Sequence, residues 1–420
     1  MCTDGALQLG GVDVAELVER YGTPIYVLDE NEFRARARRY RQLFPQARIH
    51  YAAKAFLCRE VARWAQSEGL GIDVCSLGEL TVALAAGIAP GDLILHGNAK
   101  SPEELAEAVR VGVGRIVLDD LSEVQRIAAL VPRNQQQAVL IRVVPGVSAG
   151  AHAAVRTGVQ AAQFGLSTHD GSAEEAVRRV LEQPRLLLAG LHCHLGSQIT
   201  GVTPYLQAID ELTRVLAVLR DRHAVHLPEL NIGGGHAVAY RRDDPELDLD
   251  RFARSVPQRL AQRCEQFGLP VPQLVLEPGR AIAGPSAIAV YRVLAVKIRK
   301  GGRRFAAVDG GMSDNPRPAL YGVRYTVRHL GRSDSGNLLP TAVVGRHCET
   351  GDVINDRANL PADLHPGDLL STPVAGAYHR SMASTYNLVG RPPVIAVRDG
   401  AHRVLIRRET VADLLAQDED

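Results

Sequence analysis

Lys54 is the only permanently charged residue in the run Ile49-His50-Tyr51-Ala52-Ala53-Lys54-Ala55-Phe56. A lysine closing an apolar strand is either a solvated rim residue or an amine kept partly out of water. In the second case its pKa falls and it can form a Schiff base with a carbonyl compound. Two further stretches bear on the choice. Gly233-Gly234-Gly235 can turn consecutive backbone N–H groups inward as an anion nest, although a glycine triplet also makes a plain tight turn. Glu277, in Glu277-Pro278-Gly279-Arg280, closes another apolar run. Its carboxylate can serve a core ion pair, or it can face a heterocyclic nitrogen and hold it protonated. A carbonyl-binding amine, a phosphate clamp and a partner for a ring nitrogen together describe pyridoxal phosphate.

His192-Cys193-His194 admits three uses. Alternate residues of a strand share a side, so the two histidines can be metal ligands, but no third ligand with matching spacing is evident. His194 can instead stack its flat ring on a cofactor, and His192 can be a satisfied core histidine. In Arg346-His347-Cys348-Glu349-Thr350-Gly351-Asp352 the cysteine has polar neighbours, unlike an inert buried thiol. A neighbouring His or Arg suits it to proton transfer, while an incidental loop cysteine remains the alternative.

Those groups need a frame. Apolar runs recur at Arg48–Ala53, Ile72–Cys75, Leu93–His96, Ile116–Leu118, Val139–Val143, Leu186–His194, Glu229–Ile232 and Leu274–Glu277, with amphipathic helical stretches between them. Eight strands alternating with helices over roughly 250 residues predict a (β/α)₈ barrel. An open doubly wound sheet would place a Gly-rich turn after the first strand, and none is there. Lys54, Ser76, His96, Asp119, Arg142, His194, Gly233–Gly235 and Glu277 all fall at or just past the end of a run. In a barrel those ends converge on one face, where active sites lie. The connection from Pro145 to about Gly171, with His152 and Arg156, has the length of a lid or a disordered segment. Helical spacing marks Val14–Tyr21 and Asn31–Leu43. After Gly284-Pro285 short alternating stretches (Ala289–Lys297, Arg304–Val308, Ala342–Val344, Leu369–Pro373, Val394–Val397, Arg403–Arg407) are separated by Gly, Asp and Asn clusters such as Ser333–Asn337, which predicts a β-rich second domain.

Composition excludes several classes. Over 420 residues, 48 Lys and Arg nearly cancel 47 Asp and Glu, and no basic stripe offers a surface to nucleic acid. No apolar stretch approaches the roughly 18 residues needed to span a bilayer, so no membrane partner is expected. The opening residues lack a basic region followed by an apolar one, and no export signal is expected. The six cysteines are scattered without a CxxC pair, which points to reduced thiols and a cytoplasmic location.

Tyr-Ala-Ala-Lys-Ala, His-Cys-His-Leu-Gly-Ser-Gln, Gly-Gly-Gly, Glu-Pro-Gly-Arg, Arg-Pro-Ala-Leu-Tyr-Gly, Cys-Glu-Thr-Gly-Asp and Gly-Ala-Tyr follow one another over nearly the whole chain. As an ordered set they resemble the fold-type III pyridoxal phosphate decarboxylases. The resemblance implies an alanine-racemase-like barrel over 28–284 and a β-rich domain from 1–27 and 285–420. It implies Lys54 as the Schiff-base lysine, His194 as the ring-stacking group and Glu277 as the partner of the pyridinium nitrogen. Ser197, Gly234, Gly235, Gly279 and Arg280 are implied phosphate contacts, and Tyr378 is implied to reach the cofactor. The resemblance implies that Arg280, Arg317, Tyr321 and Tyr378 meet the substrate, with the arginines on a distal carboxylate, and that Glu349 takes a distal ammonium. Cys348 is implied as the acid protonating the product, in a head-to-tail homodimer that shares its active sites. Meso-diaminopimelate, which carries both distal charges, is the implied substrate of an α-decarboxylation that yields lysine. Sites built for a polar group reject analogues lacking it by roughly 10⁴-fold, which disfavours lysine and ornithine. A relative acting on another amino acid is the first rival expectation, and a catalytically silent cofactor-binding regulator the second. Two positions depart from the family pattern. Ala237 stands where a further Gly is usual, which puts the shape of the phosphate loop in doubt. Gln163 replaces a usual Lys, which puts a domain or dimer contact in doubt.

Overall fold

The computed structural model describes residues 2–3, 6–149, 163–331 and 337–419. His152, Arg156 and most of the Ser333–Asn337 cluster lie outside them. The described chain forms two compact units, Arg36–Val238 with Pro245–Ala281, and Met1–Ala35 with Ala239–Asp244 and Ile282–Asp420.

The first unit is the closed parallel barrel that the run pattern predicts. Its strands are β1 (Arg48–Ala52), β2 (Gly71–Val74), β3 (Leu93–Leu95), β4 (Arg115–Leu118), β5 (Gln137–Val144), β6 (Leu186–His192), β7 (Glu229–Asn231) and β8 (Gln273–Leu276). Each pairs with the next, and β8 returns to β1 through Val275 opposite Arg48 and Leu276 opposite Ile49. The runs are continuous rather than alternating because both faces are buried, one by helices and the other by the barrel interior. Ile94, Val117, Leu140, Ala189 and Val275 fill part of that interior and form one core cluster. Local signals set where the helices begin. Before the helix Pro102–Val111, Ser101 accepts the Glu104 N–H and Glu104 returns to the Ser101 N–H, while Gly112 in the left-handed region ends it. Such a cap contributes about 1 kcal/mol.

The second unit is built on an antiparallel-rich sheet. Its main path runs Val353–Pro361, Leu338–Val344, Arg304–Val308, Ala287–Ile298, Ile25–Asp29, Val394–Arg398, Ala401–Ile406. The N-terminal strand Ile25–Asp29 lies between Ala287–Ile298 and Val394–Arg398, so the chain's beginning is integral to this sheet. Val12, Val14, Leu17 and Val18, around the helix Val14–Tyr21, pack on Ile25, Val27, Val290, Ile395 and Val397. Strands Arg328–Leu330 and Val353–Pro361 escape the sequence pattern. The latter is a terminal strand rich in Asn, Asp and Arg, where edge pairing replaces apolar alternation. Among the described residues no helix is long and apolar enough to cross a membrane.

Candidate active site

The chemistry-bearing side chains of the barrel unit sit where its strands end. Lys54 lies in a short 3₁₀ turn, Ala53–Ala55, directly after β1 and is half-buried. Gly279 packs directly on Ala52 and Ala55 and has no room for a side chain. A Cβ on Gly279 would stand 2.9 Å from the Ala52 Cβ and 3.1 Å from that of Ala55. The Ala52 N–H also donates to the Pro278 carbonyl at 3.2 Å. The lysine turn and the Glu277-Pro278-Gly279 turn are therefore stitched together.

Glu277 follows β8 and is buried. His96 Nε2, past β3, lies 2.9 Å from its Oε1, and His192 Nε2, ending β6, lies 3.2 Å from its Oε2. Asn231, ending β7, donates to Oε1 at 2.6 Å, and its own Oδ1 accepts the Gly233 N–H at 2.8 Å. Burial by itself would raise the Glu277 carboxyl, but His96 and His192 hold it well below the usual carboxylate range. An ionised carboxylate only accepts, so both histidines present Nε2–H to it. Burial pushes His192 down to about 4, leaving it neutral with a buried, unpartnered Nδ1. Asp73, whose carboxyl burial pushes up, lies 3.9 Å from His96 and keeps Oδ2 without a partner. Among the described residues the Glu277 carboxylate thus sits between two imidazoles and a carboxamide, with no Arg or Lys paired to it. The ligand atoms of His96, His192 and Glu277 lie within 4.8 Å of one another, a spacing a divalent cation could use. His192 is grouped with His96, not with His194 as the strand-six metal reading would need.

His194 turns toward the glycine loop, and its Nδ1 accepts the Gly234 N–H at 3.3 Å. Burial, then the charge of Lys54, holds this imidazole well below its ordinary range. The loop itself tolerates no side chain. A Cβ on Gly234 would run into the Glu277 carbonyl and one on Gly235 into the Gly196 carbonyl, and Gly235 has φ +90°. Ser197 Oγ accepts from Arg280 Nη2 at 2.9 Å, which brings these two residues together. Ala237 is absent from the residues with positive φ, and its N–H donates to the Ile199 carbonyl at 3.2 Å. Ordinary backbone is all this position requires, so alanine fits. Gln163 is exposed.

Ser76 proves to be a helix cap, accepting the Glu79 N–H at 3.2 Å. Asp119 and Arg142 face each other at 3.5 Å, with Arg142 over the Phe164 ring at 4.4 Å. Asp73, Glu79 and Asn231 escaped the sequence reading. Polar residues inside otherwise apolar runs (Ile72-Asp73-Val74, Leu230-Asn231-Ile232) were the available signal.

In the β-rich unit Arg317 is buried at 4% exposure. Its guanidinium donates to the Tyr240 and Tyr325 hydroxyls, and among the described residues no carboxylate pairs with it. Tyr321 and Tyr378 are half-buried. Tyr378 has φ +60°, a conformation an aromatic residue adopts only when its surroundings force it. Cys348 and Glu349 are exposed on a turn whose base is fixed by buried Asp352, which accepts the Met312 and His347 N–H groups at 2.7 and 2.8 Å.

Residues 30–284 match the family model described as pyridoxal-dependent decarboxylase, pyridoxal binding domain. A diaminopimelate decarboxylase of Actinosynnema pretiosum subsp. auranticum is 50% identical over 415 residues, covering 99% of this chain and 93% of its own. The crystal structure of diaminopimelate decarboxylase from M. jannaschii in complex with L-lysine aligns with TM-score 0.93 and 27% identity over 100% of this chain and 97% of that one. That of Helicobacter pylori, also complexed with L-lysine, aligns with TM-score 0.87 and 28% identity over 96% and 98%.

Proposed function

This chain belongs to the pyridoxal-dependent diaminopimelate decarboxylase family, and we propose that it decarboxylates meso-diaminopimelate to lysine and carbon dioxide with the strand-end residues above. The observation that carries the reading is Glu277, a buried carboxylate kept ionised by His96 and His192 at the barrel face that also holds Lys54 and the glycine loop. The residues fit pyridoxal phosphate: a cradle that excludes every Cβ, an amine beside it, and a buried carboxylate among unpartnered polar atoms.

When bound, pyridoxal phosphate supplies the sink for the electron pair left at Cα as carbon dioxide departs. Lys54 is assigned as the amine that holds this group covalently. Glu277 keeps a proton on the ring nitrogen, because a fixed negative charge in a dry site favours the charged form of its partner. Gly234, Gly235, Ser197, Gly279 and Arg280 are assigned to the phosphate, the His194 imidazole to the face of the ring, and Tyr378 to cofactor and substrate. Arg280, Arg317 and Tyr321 are assigned to the substrate's distal carboxylate and Glu349 to its distal ammonium. A buried guanidinium without an acid partner is costly unless an anion arrives, which is the reason for giving Arg317 that role. Cys348 is assigned the proton that Cα receives. Exposure of Cys348 and Glu349 supports their presentation to a second copy of the chain, as a head-to-tail homodimer in the cytoplasm requires.

Carbon dioxide release is measured from meso-diaminopimelate, lysine and ornithine at equal concentration, with Lys54→Ala beside the native enzyme. Turnover confined to meso-diaminopimelate and abolished by the substitution is expected. Preferred turnover of another amino acid would replace the substrate assignment, and undiminished release by Lys54→Ala would overturn the mechanism.

A further inference from the structure

The turn that carries Cys348 and Glu349 is exposed, yet the two residues must be aimed with care if they act as proton donor and substrate anchor. The segment Tyr386-Asn387-Leu388 lies against them within the same unit. Asn387 Oδ1 faces the Cys348 N–H at 3.3 Å and His347 Nδ1 at 3.2 Å. A carboxamide oxygen is an acceptor, so His347 presents Nδ1–H to it. The other ring nitrogen, Nε2, is then free to accept the Ser313 hydroxyl at 2.8 Å. One carboxamide thereby ties the cysteine backbone to an imidazole anchored at its far side. The Glu349 carboxylate raises the Tyr386 phenol above its ordinary range, and the Tyr386 ring lies 5.3 Å from that of His347. Asn387 and Leu388 both have φ +54°, a costly backbone for a leucine, so something holds the segment in this shape.

We propose that Tyr386 and Asn387 are positioning residues, a template that sets Cys348 for proton delivery and Glu349 for recognition of the substrate's distal ammonium. The proposal rests on the roles assigned to Cys348 and Glu349. It divides the labour by residue: Asn387 acts on the thiol through the backbone, and Tyr386 acts through its ring against His347 and its hydroxyl toward the Glu349 carboxylate.

The test uses the holoenzyme with meso-diaminopimelate and the variants Asn387→Gly, Asn387→Asp, Tyr386→Phe and Cys348→Ala. Glycine adopts the left-handed backbone without strain, so Asn387→Gly removes the carboxamide alone, and cofactor absorbance with a melting curve checks that each variant folds. Misplacing a reacting group by about 1 Å costs up to roughly 10²-fold, so Asn387→Gly should lower kcat by about tenfold or more with KM little changed. Asn387→Asp, which keeps an acceptor oxygen, should recover most of that loss. Removing the hydroxyl that faces the Glu349 carboxylate should raise KM in Tyr386→Phe by about tenfold, with kcat within about threefold of native. Native kcat in Asn387→Gly, equal losses in the Gly and Asp variants, or native KM in Tyr386→Phe would overturn the template while leaving Cys348 as the acid. Full activity in Cys348→Ala would overturn the assignment beneath it.

Discussion

Two buried glutamates mark opposite ends of the barrel. Glu229 opens β7 and Glu277 follows β8, and both are about equally hidden from water, at 5% and 4% exposure. Their partners differ in kind. Glu229 is gripped by two arginines, Arg48 Nη1 at 3.1 Å and Arg115 Nε at 3.0 Å, with Arg115 Nη2 closing a fork. Permanent cations cancel its charge, and nothing further is asked of that end. Among the described residues Glu277 has only His96, His192 and Asn231, two imidazoles and a carboxamide, and Asp73 adds a second buried carboxyl nearby. No permanent cation is paired with it there. The difference teaches how one fold separates support from chemistry: a buried acid forked by arginines is finished, whereas one held by imidazoles and a carboxamide keeps room for a cationic partner.

The largest effect expected from this contrast is on turnover. Glu277→Gln keeps the shape but removes the charge, and carbon dioxide release should fall by roughly 10²- to 10⁴-fold, the span for a misassigned proton. Glu229→Gln should leave kcat/KM within about threefold, because its charge serves no reacting atom. Similar losses in both variants would erase the distinction. A smaller effect belongs to Asn231, which joins the acid to the glycine turn. Asn231→Ala should weaken cofactor affinity by about tenfold, the worth of a hydrogen bond to a charged group, as read by absorbance titration of the cofactor-free protein. Smaller again, and on stability rather than affinity, Glu229→Gln should lower unfolding free energy by about 1–3 kcal/mol. Partial exposure of Arg48 and Arg115 keeps that cost from being larger. An unchanged urea midpoint would mean that the arginine fork is ornamental.

The two ends also differ in how far the sequence discloses them. All eight barrel strands are legible because parallel strands buried on both faces produce uninterrupted apolar runs, and their ends carry the polar outliers. Glu277 and Lys54 stand out for that reason. The arginine fork of Glu229 was not legible, since Arg48, Arg115 and Glu229 occupy strand beginnings that look like ordinary polar boundaries and meet only when the barrel closes. Asn231 was hidden in another way: its two hydrogen bonds reach one residue two places on and another on the neighbouring strand's end. Ser76 misled because a serine past a strand can cap the next helix as readily as it can bind a ligand. In the β-rich unit Val353–Pro361 was illegible, since an edge strand needs no apolar face.

A further effect is a pH dependence of stability to which the end that holds Glu277 contributes. His192 is pushed down to about 4 and His236, which follows the glycine loop, to about 3, in both cases chiefly by burial. Glu277 opposes that shift at His192 and has no part at His236, whose Nδ1 meets the Tyr40 hydroxyl at 2.7 Å. In the unfolded chain each imidazole returns to about 6.5. The unfolded state therefore takes up protons first as the solution is acidified. The stability these residues contribute is complete above about pH 6.5 and is lost as pH falls toward 4. Each such group steepens the decline by at most about 1.4 kcal/mol per pH unit. Urea unfolding between pH 7 and 4.5 should show that decline, and His236→Gln should flatten it. An unaltered slope in His236→Gln would mean that the imidazole is reached by water, and the dry interior assigned to this end of the barrel would have to be given up.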